Sequence, residues 1–398
     1  MNKVELLAPA GSMEKLRVAF LYGADAVYIG GKNYSLRANA TNFKLSEIKE
    51  AVKYAHKLKK KVYVTVNIIF HNEDYKDLVS YLHSLSVIDV DAIIASDPSI
   101  IDIVKKNKID IDIHLSTQAS TANYEAVKFW KSLGIKRVVL ARECSREDIK
   151  AIIKKTGVEV ECFLHGAMCS AYSGRCVLSN YFTNRDANRG GCAQICRWVF
   201  DLNDGYSDIE NETKFTMSTK DLSMINCLGD MIDIGVSSLK VEGRMRSNYY
   251  IATVISTYRE AIDLYYKGEL TEEKLKYFSK VLNRVANRES TEQFFSHNSC
   301  AKDQYFVGRE EYSNQDFLGI VMNYEKETGI VTLTQRNYFK PGDVVEIFGP
   351  SIKAFSFTMP EIYNEEGDII DVANHPKQIV KFRLDREVYP NDIMRVKI

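Results

Sequence analysis

Over the first two-thirds of the chain, short apolar runs alternate with amphipathic stretches. This rhythm constrains the fold more than any other feature of the sequence. Val4–Leu7, Ala26–Ile29, Lys61–Val66, Ala92–Ala95, Ile111–Leu115, Arg137–Leu140 and Val158–Leu164 read as strands. Helical spacing fills the gaps at Leu45–Leu58, Tyr75–Leu85, Pro98–Lys106, Asn123–Leu133 and Ser145–Lys155. Ser12 is placed to cap a first helix, with Glu14 in its first turn, where a carboxylate suits the helix dipole. Strands separated by helices of this length mean βαβ units and a parallel sheet. An eighth strand is available at Ser237–Val241, ahead of a long helix Asn248–Tyr266. Eight strands favour a closed, TIM-like (β/α)8 barrel over a doubly wound sheet, since no GxGxxG follows any strand.

His165–Asn226 breaks the alternation as a cysteine-rich insertion after strand seven, at the end where barrel enzymes build active sites. From Asp316 the pattern becomes all-β. LGIVMNY, GIVTLTQ, DVVEIFG, IIDVAN, QIVKFRL and IMRVKI are short alternating runs, punctuated by Pro341-Gly342-Asp343 and Glu366-Gly367-Asp368. The expected division is a barrel over residues 1–300, with the insertion at 165–226, and a small C-terminal β-barrel domain over 301–398.

Lys+Arg and Asp+Glu are 53 each, so the net charge is zero. That excludes a globally basic nucleic-acid coat and an acidic disordered chain, and leaves room for a local basic patch. No apolar run approaches bilayer-crossing length, and MNKVELLAPAGS has no long apolar leader segment, so the expected location is the cytoplasm, away from membranes. There, cysteines serve as thiols, ligands or catalytic groups rather than disulfides. The glycosylation pattern Asn39-Ala-Thr41 carries no meaning in that compartment, and the basic run His56–Lys61 reads as a solvated turn.

Four of the eight cysteines cluster as Cys169-x6-Cys176-x15-Cys192-x3-Cys196 in glycine-rich surroundings. Glycine lets a loop fold tightly around a metal centre, and four thiolates suit either zinc or an iron–sulfur cluster. Structural zinc sites come as paired short knuckles. Only one pair is that close here, which leans toward a cluster. The plain alternative is a set of buried small hydrophobes. That is the preferred reading for Cys144, Cys162, Cys227 and Cys300, with Cys227 as a reserve ligand.

Between His165 and Phe200 stand Arg175, Arg185, Arg189 and Arg197 against one acid, Asp186, with Tyr172, Tyr181, Phe182 and Trp198 interleaved. Guanidiniums grip phosphates and aromatic faces stack on bases, so the composition suits single-stranded nucleic acid. Neutralisation of an anionic cluster explains the arginines equally well.

In the eighth strand Lys240 and Glu242 face one way, Leu239 and Val241 the other, with Arg244 and Arg246 following. Charges facing a barrel interior need partners or a ligand. Lys-x-Glu-x-Arg-x-Arg is therefore a candidate clamp for a carboxylate, with a buried structural ion pair as the alternative. Asn67, Ser116, Gln118, Arg142 and Glu143 stand at comparable strand ends. His165 ends strand seven and is a candidate general acid or cluster neighbour. No HExxH, GxSxG, GxxxxGK[ST] or CxxxCxxC motif occurs.

ELLAPAGS, GADAVYIGG, CFLHGAMCSAYSGRCVLSNY, NRGGCAQICRW, STKDL and SLKVEGRMRS resemble the collagenase-like peptidase family of unassigned catalytic type. QRNYFKPGDVVEIFGP resembles that family's C-terminal β module, and the resemblance is nearest to the family's tRNA-hydroxylating branch. It implies an oxygen-independent hydroxylation with a 4Fe-4S cluster, making 5-hydroxyuridine at the wobble position of tRNA with prephenate as hydroxyl source. The family's ligand cysteines fall on Cys169, Cys176, Cys192 and Cys196, with Cys227 as fallback for Cys196. The residues themselves nominate Lys240, Glu242, His165 and Asn67 for catalysis. For substrate they nominate Arg142, Arg244, Arg246, Gln118, Arg175 and Arg189, the cations suiting a small-molecule dicarboxylate. The expected partners are tRNA and that dicarboxylate, with a partner subunit left open. Two other functions remain: a metal-dependent peptidase, which lacks a recognisable protease motif, and a zinc-stabilised RNA-binding protein.

Overall fold

The computed structural model describes residues 3–36, 42–202, 213–305 and 316–397. Asn39 and Thr41 of the glycosylation pattern lie outside them. Eight parallel strands close into a barrel: β1 (Glu5–Pro9), β2 (Ala26–Gly30), β3 (Lys61–Val66), β4 (Ala92–Ala95), β5 (Ile113–Leu115), β6 (Arg137–Val139), β7 (Glu159–Gly166) and β8 (Ser238–Val241). Each pairs with the next, and β8 pairs with both β7 and β1, so no edge is left in the ring.

Helix starts follow local chemistry. Ser12 accepts from Lys15 N, Asp97 from Ser99 N ahead of Pro98, and Ser145 forms a capping box with Asp148. The expected helix at Tyr75 begins only at Leu78, because Asn72–Tyr75 forms a separate 3-10 turn. Outward-facing Leu6, Ala8, Val27, Ile29, Val62 and Val64 pack under the helices. The inward face carries a small apolar group, Leu7, Ala26, Tyr28, Tyr63, Ala92 and Ile94.

Two further strands extend the ring. Asp221–Ser223 pairs antiparallel with His165–Gly166 of β7, and Ser290–Thr291 pairs parallel with Asp221–Ser223. The far end of the insertion is thus stitched to the strand from which it departs. Tyr305 N donates to Ser218 O at 2.9 Å, so the chain keeps contact with the insertion as far as residue 305.

The C-terminal domain is an eight-stranded antiparallel half-barrel. Its strands include Phe355–Thr358 and Ile362–Tyr363, beyond the alternating runs read from sequence. Tyr249 stacks on Phe317 at 4.8 Å, Arg284 pairs with Asp316, and Tyr22 Oη donates to Asn391 O at 2.7 Å, fixing this domain against the barrel. No described helix is long and apolar enough to cross a membrane.

Candidate active site

The C-terminal ends of the barrel strands and the insertion line an open cleft of about 1030 Å³, the solvent at its mouth included. All four clustered cysteines line it, together with Asn67, Gln118, Arg142, Lys240, Glu242 and Arg244. The four are free thiols, Cys169 and Cys192 exposed, Cys176 and Cys196 half-buried. Burial raises the Cys196 thiol above its ordinary value and the neighbouring Cys169 adds to this, while Ser170 and Arg197 act against it. Among the described residues, no three His, Cys, Asp or Glu side chains converge on a site for one metal ion.

Several contacts set the loop in place. Gly174 has φ +81°, and a Cβ there would lie 2.3 Å from the Gln118 carbonyl oxygen, so the close approach requires glycine. Ser120 Oγ donates to Ser173 O at 2.7 Å. The Asn188 amide brackets Cys176, donating to its carbonyl at 2.9 Å and accepting from its N–H at 3.3 Å. Arg189 donates to Ile69 O at 2.7 Å and to Asp74 Oδ1 at 2.9 Å.

On the barrel side, Lys240 Nζ lies 2.8 Å from Glu161 Oε1 and 4.5 Å from the Tyr28 ring centre. Glu161 is wholly buried and 3.5 Å from Arg137, which also holds Glu5 and Glu159. The Tyr28 hydroxyl donates to Glu242 Oε2 at 3.2 Å. Arg142 covers the Phe163 ring at 3.8 Å. Asn67 Nδ2 donates to Ser116 Oγ at 3.4 Å, and its Oδ1 accepts from Leu36 N at 3.3 Å.

Four nominated residues take other places. His165 is not on the cleft wall. It is buried behind it, with Nδ1 3.3 Å from the Tyr258 hydroxyl. Burial, with Arg246 adding, lowers its pKa to about 3, so the imidazole is neutral near pH 7. Arg246 also misses the cleft: it covers the Tyr250 ring at 5.0 Å and stands 4.0 Å from Asp221. Arg189 is bound into the Asp74 pair rather than turned to a substrate. Arg175 lies at the exposed rim, its Nε 3.3 Å from Ser120 Oγ. Arg244 reaches the cleft but directs its guanidinium to Ser35, Thr65 and the Leu36 carbonyl, pinning the turn after β2. Of the two sequence alternatives for the eighth strand, the buried ion pair is present, between Lys240 and Glu161, and Lys240 also lines the cleft.

Cys144 and Cys162 line a separate, smaller void, and Cys227 contacts Ser296 Oγ at 3.5 Å. None of the three lines the main cleft. Sequence reading missed Arg288, buried in the connector after the barrel. It donates to Ser218 Oγ at 3.0 Å and to Thr219 O at 2.9 Å, and pairs with the buried Asp221. It had no signal, because neither its spacing nor its neighbours form a pattern. The cleft brings four thiols, a donor set that could hold a soft metal centre, together with Lys240, Arg142 and the Glu242 carboxylate.

Residues 11–305 match the family described as peptidase family U32, and residues 313–395 match its C-terminal domain. A Bacillus subtilis protein named tRNA hydroxylation protein P1 is 48% identical, over 99% of this chain and 95% of that one. A Haemophilus influenzae protein named tRNA hydroxylation protein P is 35% identical, over 93% and 91%. A Porphyromonas gingivalis protein named collagenase is 32% identical, over 92% and 91%. With the barrel, the half-barrel and both sequence matches in agreement, the chain belongs to peptidase family U32.

Proposed function

We propose that the protein hydroxylates RNA, converting uridine at the wobble position of tRNA to 5-hydroxyuridine without molecular oxygen. Relatives named for tRNA hydroxylation match along nearly their whole length. The observation that carries the reading is the meeting of Cys169, Cys176, Cys192 and Cys196 with Lys240, Glu242 and Asn67 on one cleft.

The donor set fits a 4Fe-4S cluster. Cys169, Cys176, Cys192 and Cys196 are free thiols on one cleft, and four thiolates are the usual ligand set of such a cluster. When bound, the cluster supplies electron-transfer chemistry. The chain's own residues bind and orient. Lys240 and Arg142 receive the carboxylates of a hydroxyl donor, prephenate in this reading. The Tyr28 hydroxyl holds Glu242 as an oriented proton acceptor, and Asn67, fixed by Ser116 and Leu36 N, faces the same space.

Mass analysis of wobble nucleosides in a deletion strain tests this. Loss of 5-hydroxyuridine and its derivatives is expected, with recovery on returning the wild-type gene but not Cys176→Ala. Unchanged 5-hydroxyuridine in the deletion strain overturns the proposal. Anaerobically purified protein should be brown, with absorption bleached by reductant. A colourless, zinc-loaded protein would favour the RNA-binding alternative.

A further inference from the structure

The short helix Leu178–Thr183 begins two residues after Cys176 and is built inside out. Its one buried residue is Ser179, whose Oγ accepts from Ala193 N at 3.0 Å. Its aromatic residues point outward: Tyr181 is 85% exposed and Phe182 53%. A helix selected only to close the loop would turn its rings inward. Phe182 is held edge-on by Trp198 at 6.3 Å and Phe200 at 5.8 Å, so its ring is set in place before anything binds. Tyr172 of the same loop is 46% exposed and lines the cleft wall.

Two arginines of the same loop lack acid partners among the described residues. Arg189 and Arg197 are engaged within the protein, by Asp74 and the Gln194 side chain. Arg175 and Arg185 are exposed and form no ion pair among the described residues. Exposed rings on the same loop as unneutralised guanidiniums complement a strand that offers both unstacked bases and phosphates. A duplex buries its base faces in its own stack and cannot use such rings.

We infer that Tyr181 and Phe182, with Arg175 and Arg185, form a platform for unpaired RNA bases flanking the base that enters the cleft past Tyr172. This deepens the proposed function and rests on it. The platform makes the enzyme select a loop rather than a helix, and holds the neighbouring nucleotides outside while one base turns in.

The test is fluorescence anisotropy with the full-length protein, a hairpin RNA carrying an unpaired loop, and a blunt duplex of the same stem. Tyr181→Ala and Phe182→Ala should each weaken hairpin binding about tenfold and leave duplex binding unchanged. Tyr181→Trp should keep wild-type affinity, which separates loss of the ring from loss of the fold. Arg185→Ala should reduce the slope of log affinity against log salt by about 0.7. Hairpin affinity at the wild-type level in both alanine variants overturns the platform. So does a parallel loss of duplex binding, or the dissolution of a wild-type dimer by these substitutions. If the wild-type protein binds no hairpin at all, the RNA reading itself falls.

Discussion

Lys240 reaches the floor of the cleft standing on Glu161, with Nζ and Oε1 2.8 Å apart and the carboxylate wholly out of solvent. The pair is therefore both a strut and a supplier of charge. Removing one member of a buried pair leaves the other uncompensated, at a cost of about 3–5 kcal/mol. Glu161→Ala should lose stability on that scale in chemical denaturation. Lys240→Ala should lose less, since Glu161 keeps Arg137 at 3.5 Å, and should abolish product while the protein keeps its visible absorption. Wild-type product formation by Lys240→Ala would remove the lysine from substrate binding.

Serine substitution at Cys169, Cys176, Cys192 or Cys196 should strip iron and colour from anaerobically purified protein. The same change at Cys144 or Cys227, both off the cleft, should leave both. Burial pushes the Cys144 thiol up to about 12, which makes it a poor ligand near neutral pH. Iron retained in Cys196→Ser and lost in Cys227→Ser would reassign the fourth ligand.

Arg189→Ala should act on the fold and not on RNA. It removes a guanidinium fork from Asp74, mostly shielded from solvent, and an exposed bond to Ile69 O. A loss of about 1–2 kcal/mol in unfolding free energy is expected, with hairpin affinity unchanged. Weaker hairpin binding at unchanged stability would return Arg189 to the substrate surface.

Acid should weaken the fold through its buried imidazoles. His165 drops from 6.5 to about 3, chiefly by burial, and burial with Arg137 lowers His114 in the same direction. Between pH 6.5 and 3 the unfolded chain takes up a proton that folded His165 refuses, so stability is full above that window and falls as pH drops through it. The cost is up to about 1.4 kcal/mol per pH unit for each such group. Urea midpoints at pH 7 and pH 5 check this. His165→Asn should show a shallower fall than wild type, and equal slopes would contradict the assignment.

The barrel was legible because its strands are β-branched runs at regular intervals, and the cysteine loop because four thiols in 28 residues interrupt that regularity. Lys240 and Glu242 followed from two-residue alternation. The partner Glu161 did not, since its link to Lys240 depends on β7 and β8 meeting across 79 residues. Arg189 looked like a substrate group because Asp74, 115 residues away, gave no sign of facing it. The strand Asp221–Ser223 was hidden for a related reason: Asp-Leu-Ser has no strand pattern, and its conformation comes from pairing with His165 and Gly166. Glu161, Arg189 and Asp221 all owe their roles to tertiary partners.

That last pairing carries a consequence for how the molecule is made. The stretch bearing the four thiols leaves β7 and returns to it, like a handle fixed at both ends to the same wall. The wall of the vessel closes on itself without the handle, and Cys169 and Cys192 on the handle are open to solvent.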